Sequence, residues 1–540
     1  MNRRDFFQSA LIGGVAAMTP STLAKSAASN PKSPPTPRVK HSELDEMSIA
    51  QMQAAMTAGK LTAVSLTRKY LARIKEIDRD GPRLNSVIEL NPDALAIAAA
   101  LDKERKTNGL RGPLHGVPVL IKDNVDTHDR MTTTAGSLAL AGSVPLRDAF
   151  LVQKLRDAGA VLLGKTNLSE WANFRSSHSI SAWSGRGGLT LSPYALDRNP
   201  SGSSSGSAVA VSANLCAVAV GTETDGSILA PSSCNALVGI KPTLGLISRS
   251  GIIPIAHSQD TPGPIARTVT DAAILLSCLA GQDPRDGATA SGSGKSYDDY
   301  RRVLDPRGLL GARIGVARNF FGFLDSVDEL MDIAILGMKQ LGAVIVDPVD
   351  LAASGPYSDS EMEVLLYEFK ADLNAYLGGL APNVPVHSLK ELIEFNEKNR
   401  AEEMPRFGQD LLLKAAAKGP LTEKAYLDAL AKNHRLAQEE GIDAVMNKNQ
   451  LDAIVAPTIG PAQLLDLLWG DRDTGGSTSP AAVAGYPSIT VPLGQIKGLP
   501  VGISFFGRAW SEPKLIKIAF GFEQATNART PPRFLRTVSQ

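Results

Sequence analysis

The sequence predicts an α/β protein built as one large domain. Three observations carry this. Short apolar runs of strand length alternate with amphipathic helical patterns from about residue 45 to the C-terminus. No Gly/Ser-rich or Pro-rich linker divides the mature part of the chain, and no internal repeat is evident. Hydrophobic residues make up 43% of the 540 residues and charged residues 21%, enough apolar material for an extensive core.

Taken in order, Asp45 to Asp80 has apolar residues at three- and four-residue steps and reads as helical. "NPDALAIAAALDKERKT" is a second helix. "PLHGVPVLIKDNVDT" contains a buried strand ending at Lys122, and "AFLVQKLRDAGAVLLGKTNLSEW" is helix, turn, strand. The loop "NPSGSSSG" leads into a small-residue helix and then a strand over Leu215 to Val220. A second Gly/Ser turn, "TETDGS", follows. "GIKPTLGLISRSGIIPIAHSQDTPGPIAR" reads as turn-rich, and "TVTDAAILLSCLAG" as a helix closed by glycine. "RIGVAR" and "GAVIVDPV" are strands around another helix. Residues 358–449 are charged and helical, an elaboration near one rim. "LDAIVAPT", "PSITVPLG" and "LPVGISFFG" return to strands.

The formal net charge of +1 gives no basic surplus for nucleic acid or anionic membrane. No apolar run reaches the roughly 18 residues of a spanning helix. The N-terminus, "MNRRDFFQSALIGGVAAM", has Arg3 and Arg4, then Phe6 and Phe7, then a mildly apolar run and small residues. This is the pattern of a twin-arginine export signal over residues 1–28, with cleavage after Ala24 or Ala28, and it predicts a periplasmic location. A Pro-rich segment, residues 29–44, follows. Cys216, Cys234 and Cys278 are too few and too odd in number for a disulfide framework and read as buried free thiols. No Cys/His spacing suggests zinc, and neither a Walker loop nor a dinucleotide fingerprint occurs.

The run Ser201 to Ser207 contains five serines and two glycines. Helix and strand follow directly, so it belongs inside a domain and not to a flexible linker. As an α/β-hydrolase elbow, "GSSSG" would centre on Ser204, but Asn199-Pro200 forbids the required preceding strand. His257, His387 and His434 offer no distinguished triad partner. As a phosphate loop it lacks the lysine. Ser511 to Lys514 matches S-x-x-K without its companion motifs. A third chemistry pairs the loop with Lys122, at the end of an apolar strand, and with Ser227, after Gly226. A desolvated lysine loses basicity and can take a proton from a serine. A Gly-containing turn can aim backbone N–H groups at an oxyanion.

Together "GVPVLIKDN", "GKTNLSEWANF", "NPSGSSSGSAVAV", "GTETDGSILAPSSCNALVGIKPT" and "DTPGPIARTVTDAA" resemble the amidase signature family in order and spacing, from about Ser48 to the C-terminus. Ser227 stands 24 positions after Ser203, the family's interval. The resemblance implies a mixed, twisted β-sheet covered by helices on both faces. It implies a Ser–cis-Ser–Lys triad in which Ser227 is the nucleophile, Ser203 the bridging serine after a cis bond from Gly202, and Lys122 the base. It implies an oxyanion hole of backbone N–H groups, carried over to Thr224, Asp225, Gly226 and Ser227, and no metal or cofactor. The chain departs from the family at Ser201 and Ser205, where glycine is usual. It departs again at Asp225, where the first glycine of the turn is usual, and at Glu223, where aspartate is usual. The Asp225 carboxylate must face away from the oxyanion. The C-terminal half is most similar to bacterial peptide amidases, which implies a peptide amide substrate; small aryl, aliphatic or fatty amides are the alternative. Asn173 and Phe174 lie where the family lines its pocket and are candidate substrate contacts. A non-catalytic binding protein on the same fold would have been marked by loss of Lys122, Ser203 or Ser227, and all three are present.

Overall fold

The computed structural model describes residues 39–351 and 357–538. The twin-arginine pattern and most of the Pro-rich segment lie outside the described residues.

Thirteen strands form among the described residues: β1 Val87–Leu90, β2 Pro118–Lys122, β3 Val161–Thr166, β4 Trp183–Ser184, β5 Gly188–Leu189, β6 Val218–Glu223, β7 Val238–Lys241, β8 Thr261–Ala266, β9 Arg313–Val316, β10 Val344–Val346, β11 Ala453–Pro457, β12 Ser488–Ile496 and β13 Leu499–Phe506. β4 and β5 make a small separate hairpin. The other eleven form one sheet in the order β1-β3-β2-β6-β8-β7-β12-β13-β11-β9-β10. β2 runs parallel to both β3 and β6, whereas β6, β8, β7, β12 and β13 are joined by antiparallel pairings, so the sheet is mixed. Every residue of β2, β3, β6, β7, β8, β11 and β13 is buried. Strands buried at every position, not at alternate ones, require cover on both faces. Helices Ser205–Ser212, Val269–Leu279 and Glu512–Thr526 supply part of that cover.

Local chemistry explains the element boundaries. The helical run from Asp45 to Asp80 is broken in two. Ser48 and Thr62 each close a capping box, which starts helices at Ile49 and Ala63 and interrupts the run between them. The strand expected over Leu215 to Val220 lies three residues later, at β6, because a turn follows the serine-loop helix before the chain enters the sheet. The stretch read as turn-rich, Gly239 to Arg267, contributes most of β7 and all of β8. β8, "TPGPIA", escapes a propensity reading because two prolines occupy it, yet Pro262 and Pro264 face Thr222 and Val220 across an antiparallel pair. Cys216 and Cys234 are buried and Cys278 is half-buried; all three are free.

Residues 358–449 are mostly helical, in segments joined by turns, beginning with the long helix Ser358–Gly378. Phe369, Leu373 and Leu377 from that helix join Trp171, Phe174, Ile253 and Ile255 in one apolar cluster. The elaboration is thereby packed over the loop after β3 and the connection between β7 and β8.

Candidate active site

Lys122 is the last residue of β2, and its side chain is fully buried. Its Nζ donates to Ser203 Oγ at 2.7 Å, to the Thr222 hydroxyl at 2.9 Å and to the Thr222 carbonyl at 3.2 Å. Burial lowers its pKa to about 7, against the attraction of Asp260 and Glu223. When the amine is neutral, two protons serve Thr222 and the lone pair faces the Ser203 hydroxyl.

The Gly202–Ser203 peptide bond is cis. The loop is packed to contact: a Cβ on Gly202 would stand 2.2 Å from Ser169 Oγ, so only glycine fits. The Ser203 carbonyl accepts from the Ser169 N–H at 3.1 Å, and the Ser204 N–H donates to the Ser227 carbonyl at 3.1 Å. That bond ties the serine loop to the second motif. Ser204 Oγ, the centre of the elbow alternative, is occupied with the Thr222 backbone. Ser201 sits at φ +65, which accounts for the family's glycine there; serine occupies the same left-handed conformation.

Glu223 shapes the second turn. Its carboxylate accepts from the N–H groups of Ile228 and Leu229 at 2.7 and 2.9 Å and curls the chain back on itself. Gly226, at φ +76, turns the backbone. Among the described residues no acceptor takes the N–H of Thr224, Asp225, Gly226 or Ser227. Four consecutive free donors beside a nearly buried serine, 8% exposed, can form a cradle for an oxyanion.

A cavity of about 350 Å³ opens beside these groups, bounded by Thr222 and Thr224 at the motif end and by Ile252, Ile253 and Ile255 along one wall. Ala375 and Tyr376 of helix Ser358–Gly378 close it from the elaboration. Asn173 lies at φ +72, donates to Ser181 Oγ at 3.1 Å and leaves its Oδ1 buried without a partner. Phe174 points into the apolar cluster, 4.9 Å from Phe369.

Several residues at the site carry no signal in a single sequence. Thr222 binds Lys122. Asp260 accepts from the Thr224 hydroxyl at 2.6 Å and from the N–H groups of Ile255 and Ala256, and burial raises it to about 6. Both stand within the quoted motifs, but only the folded sheet shows what they touch. His257, Glu368 and Asp372 can bring one donor atom each within 4.8 Å of one another. The His257 ring nitrogens, however, face separate carboxylates, Nδ1 at 2.8 Å from Asp372 and Nε2 at 3.4 Å from Glu368. This is the geometry of an imidazolium clamped between two carboxylates, and it pins the core loop to the long helix.

The arrangement can activate a hydroxyl through a neutral lysine and stabilise an oxyanion on backbone donors, which is acyl-transfer chemistry. The chain matches the amidase family over residues 65–516. It is 44% identical over 502 residues to a probable amidase of Arabidopsis thaliana, covering 91% of this chain and 92% of that protein. The native peptide amidase of Stenotrophomonas maltophilia is 53% identical and superposes with a TM-score of 0.87 over 91% of this chain and 99% of that one. A peptide amidase in complex with the competitive inhibitor chymostatin is 54% identical, with a TM-score of 0.88 over 90% and 99% of the two chains. The mixed eleven-stranded sheet, the two serine-bearing turns and the match across most of the chain lead to one conclusion: this chain belongs to the amidase signature family and is an amide-hydrolysing enzyme.

Proposed function

We propose that the enzyme hydrolyses the C-terminal carboxamide of peptides and releases ammonia, with Ser227 as nucleophile, Ser203 as proton bridge and Lys122 as base. The observation that carries this reading is the buried Lys122 amine 2.7 Å from Ser203 Oγ, on a loop bonded to the Ser227 backbone. The substrate carbonyl oxygen takes N–H groups from the run Thr224, Asp225, Gly226 and Ser227. Ser227 Oγ attacks the carbon, and its proton passes to Ser203 as the Ser203 proton passes to Lys122. The same relay, reversed, protonates the departing nitrogen, and the C–N bond breaks to leave an acyl-enzyme. Water, deprotonated through Ser203, then cleaves the ester and regenerates Ser227.

Two features support a peptide amide. Identity to the Stenotrophomonas maltophilia peptide amidase extends over 91% of this chain. The cavity has an apolar wall and a polar end at the motif, as an acyl chain with side chains and a reacting carboxamide require. The same apolar wall suits a fatty or aryl acyl group, which is the alternative substrate class. The twin-arginine pattern at Arg3 and Arg4 supports action outside the cytoplasm, where peptides are scavenged. The test compares ammonia release from a dipeptide amide, cleavage of the same peptide extended by one residue, and ammonia release from a long-chain fatty amide. Rapid turnover of the first alone supports the reading. Preference for the fatty amide, or cleavage inside the extended peptide, overturns it.

A further inference from the structure

The wall of the cavity beside the catalytic groups carries a buried acceptor that the relay does not use. Asn124 follows the end of β2, two positions after Lys122. It is 3% exposed and bounds the cavity together with Thr222, Thr224 and Ile253. Its backbone carbonyl accepts from the Ile253 N–H at 2.9 Å, which fixes the residue against the apolar wall. Its Nδ2 donates to the Thr222 hydroxyl at 3.0 Å, the same oxygen that accepts from Lys122 Nζ at 2.9 Å. Its Oδ1 is buried without a hydrogen-bond partner.

A carboxamide is planar, and its oxygen and nitrogen point to opposite sides of the bond that carries them. With Nδ2 held at Thr222, Oδ1 is the end left to the cavity that the residue bounds. Buried acceptors without a donor are rare and costly, and one on the wall of a binding cavity points to a donor carried by the ligand. Thr222 and Thr224 mark the end of the cavity nearest the reacting carbonyl, and Ile252, Ile253 and Ile255 line the acyl side. In a peptide amide the first donor on the acyl side is the backbone N–H of the C-terminal residue, one carbon away from the reacting carbonyl. A fatty or aryl acyl group has no donor there.

We propose that Asn124 Oδ1 accepts the backbone N–H of the residue bearing the reacting carboxamide, and so selects peptide amides over fatty and aryl amides. The proposal rests on the reading that the substrate is a peptide amide. The bond fixes the acyl chain one carbon from the reaction, which aligns the carbonyl with Ser227 and the backbone donors. The side chain that reads the substrate is the one that touches the hydroxyl partner of Lys122, so both are placed by a single rigid group.

The test measures ammonia release from N-acetyl-alanyl-phenylalaninamide and from its ester analogue, in which oxygen replaces the phenylalanine N–H. In the wild-type enzyme kcat/KM should fall about tenfold on that exchange, the scale of one buried hydrogen bond. In Asn124→Ala the two substrates should differ by less than about twofold, because neither then meets an acceptor. Asn124→Asp keeps the oxygen and should keep the preference, which carries the test if Asn124→Ala fails to fold by circular dichroism. A purely structural role through Thr222 would instead lower kcat on both substrates alike and leave the preference intact in Asn124→Ala. That result, or equal turnover of the two substrates by the wild-type enzyme, overturns this proposal alone. Failure of the wild-type enzyme to release ammonia from either substrate overturns the peptide-amide reading and this proposal with it.

Discussion

At the scale of single residues, the proposed mechanism turns on Lys122, because burial makes an ordinarily cationic side chain available as a base. A pKa lowered from 10.5 to about 7 means that the amine is charged below pH 7 and neutral above it. The profile of kcat/KM should therefore fall on the acid side near pH 7 and reach a plateau above it. The apparent value belongs to the coupled relay and not to one group. A continued tenfold rise per pH unit to pH 10 would indicate an unperturbed lysine. Ser227→Ala should abolish acyl-enzyme formation, read by loss of ammonia release, and wild-type rates would remove Ser227 from the mechanism. Lys122→Ala should lower kcat by about 10³-fold, the scale of general-base catalysis. Gly226→Ala tests the cradle. The new Cβ would stand 3.1 Å from Thr478 Oγ1 on a left-handed backbone, so the turn must move. Losing one aligned N–H donor should cost about 10²-fold in kcat with a folded protein by circular dichroism.

At the scale of elements, the long helix Ser358–Gly378 and the loops beneath it decide the shape of the cavity. Tyr376 donates to Asp126 Oδ1 at 2.8 Å, His257 bridges Asp372 and Glu368, and Phe174 packs on Phe369. The aromatic contact is the apolar part of that junction. Phe174→Ala should destabilise the protein by about 3 kcal/mol, the usual cost of emptying a buried phenyl site. The urea midpoint should fall, and amide exchange should accelerate first in residues 358–378. A KM change with unchanged stability would instead make Phe174 a substrate contact, as its place in "WANF" suggests. Helix and strand identities along the chain were legible where capping residues and apolar runs coincide, as at Ser48, Thr62 and the strand ending at Lys122. β8 was not legible, because its two prolines argue against a strand in isolation and are tolerated only where the neighbouring strand spares their missing N–H groups.

At the scale of the whole molecule, the proposed export can be tested separately from the fold. The twin-arginine route carries folded proteins, so a change in the paired arginines alters delivery and leaves the catalytic domain intact. Replacing Arg3 and Arg4 together by lysine should retain the enzyme in the cytoplasm with its amidase activity intact, measured by fractionating ammonia-releasing activity between periplasm and cytoplasm. Equal periplasmic activity in that variant would refute export by this route.

The sequence by itself determined the fold class and the identities of Lys122, Ser203 and Ser227 as the residues to test. Alternating strands and helices are local patterns, and the serine-rich motifs keep a fixed order and spacing. Only the tertiary structure decided what surrounds them. Thr222 and Asp260 touch the lysine and the turn because β6 and β8 lie side by side, although the two residues are far apart in the chain. Gln259 reaches Glu361 only when the long helix is laid over the loop before β8. Such contacts depend on long-range packing, in which a residue's burial and charge environment come from segments remote in sequence, and no local pattern of residue types encodes them.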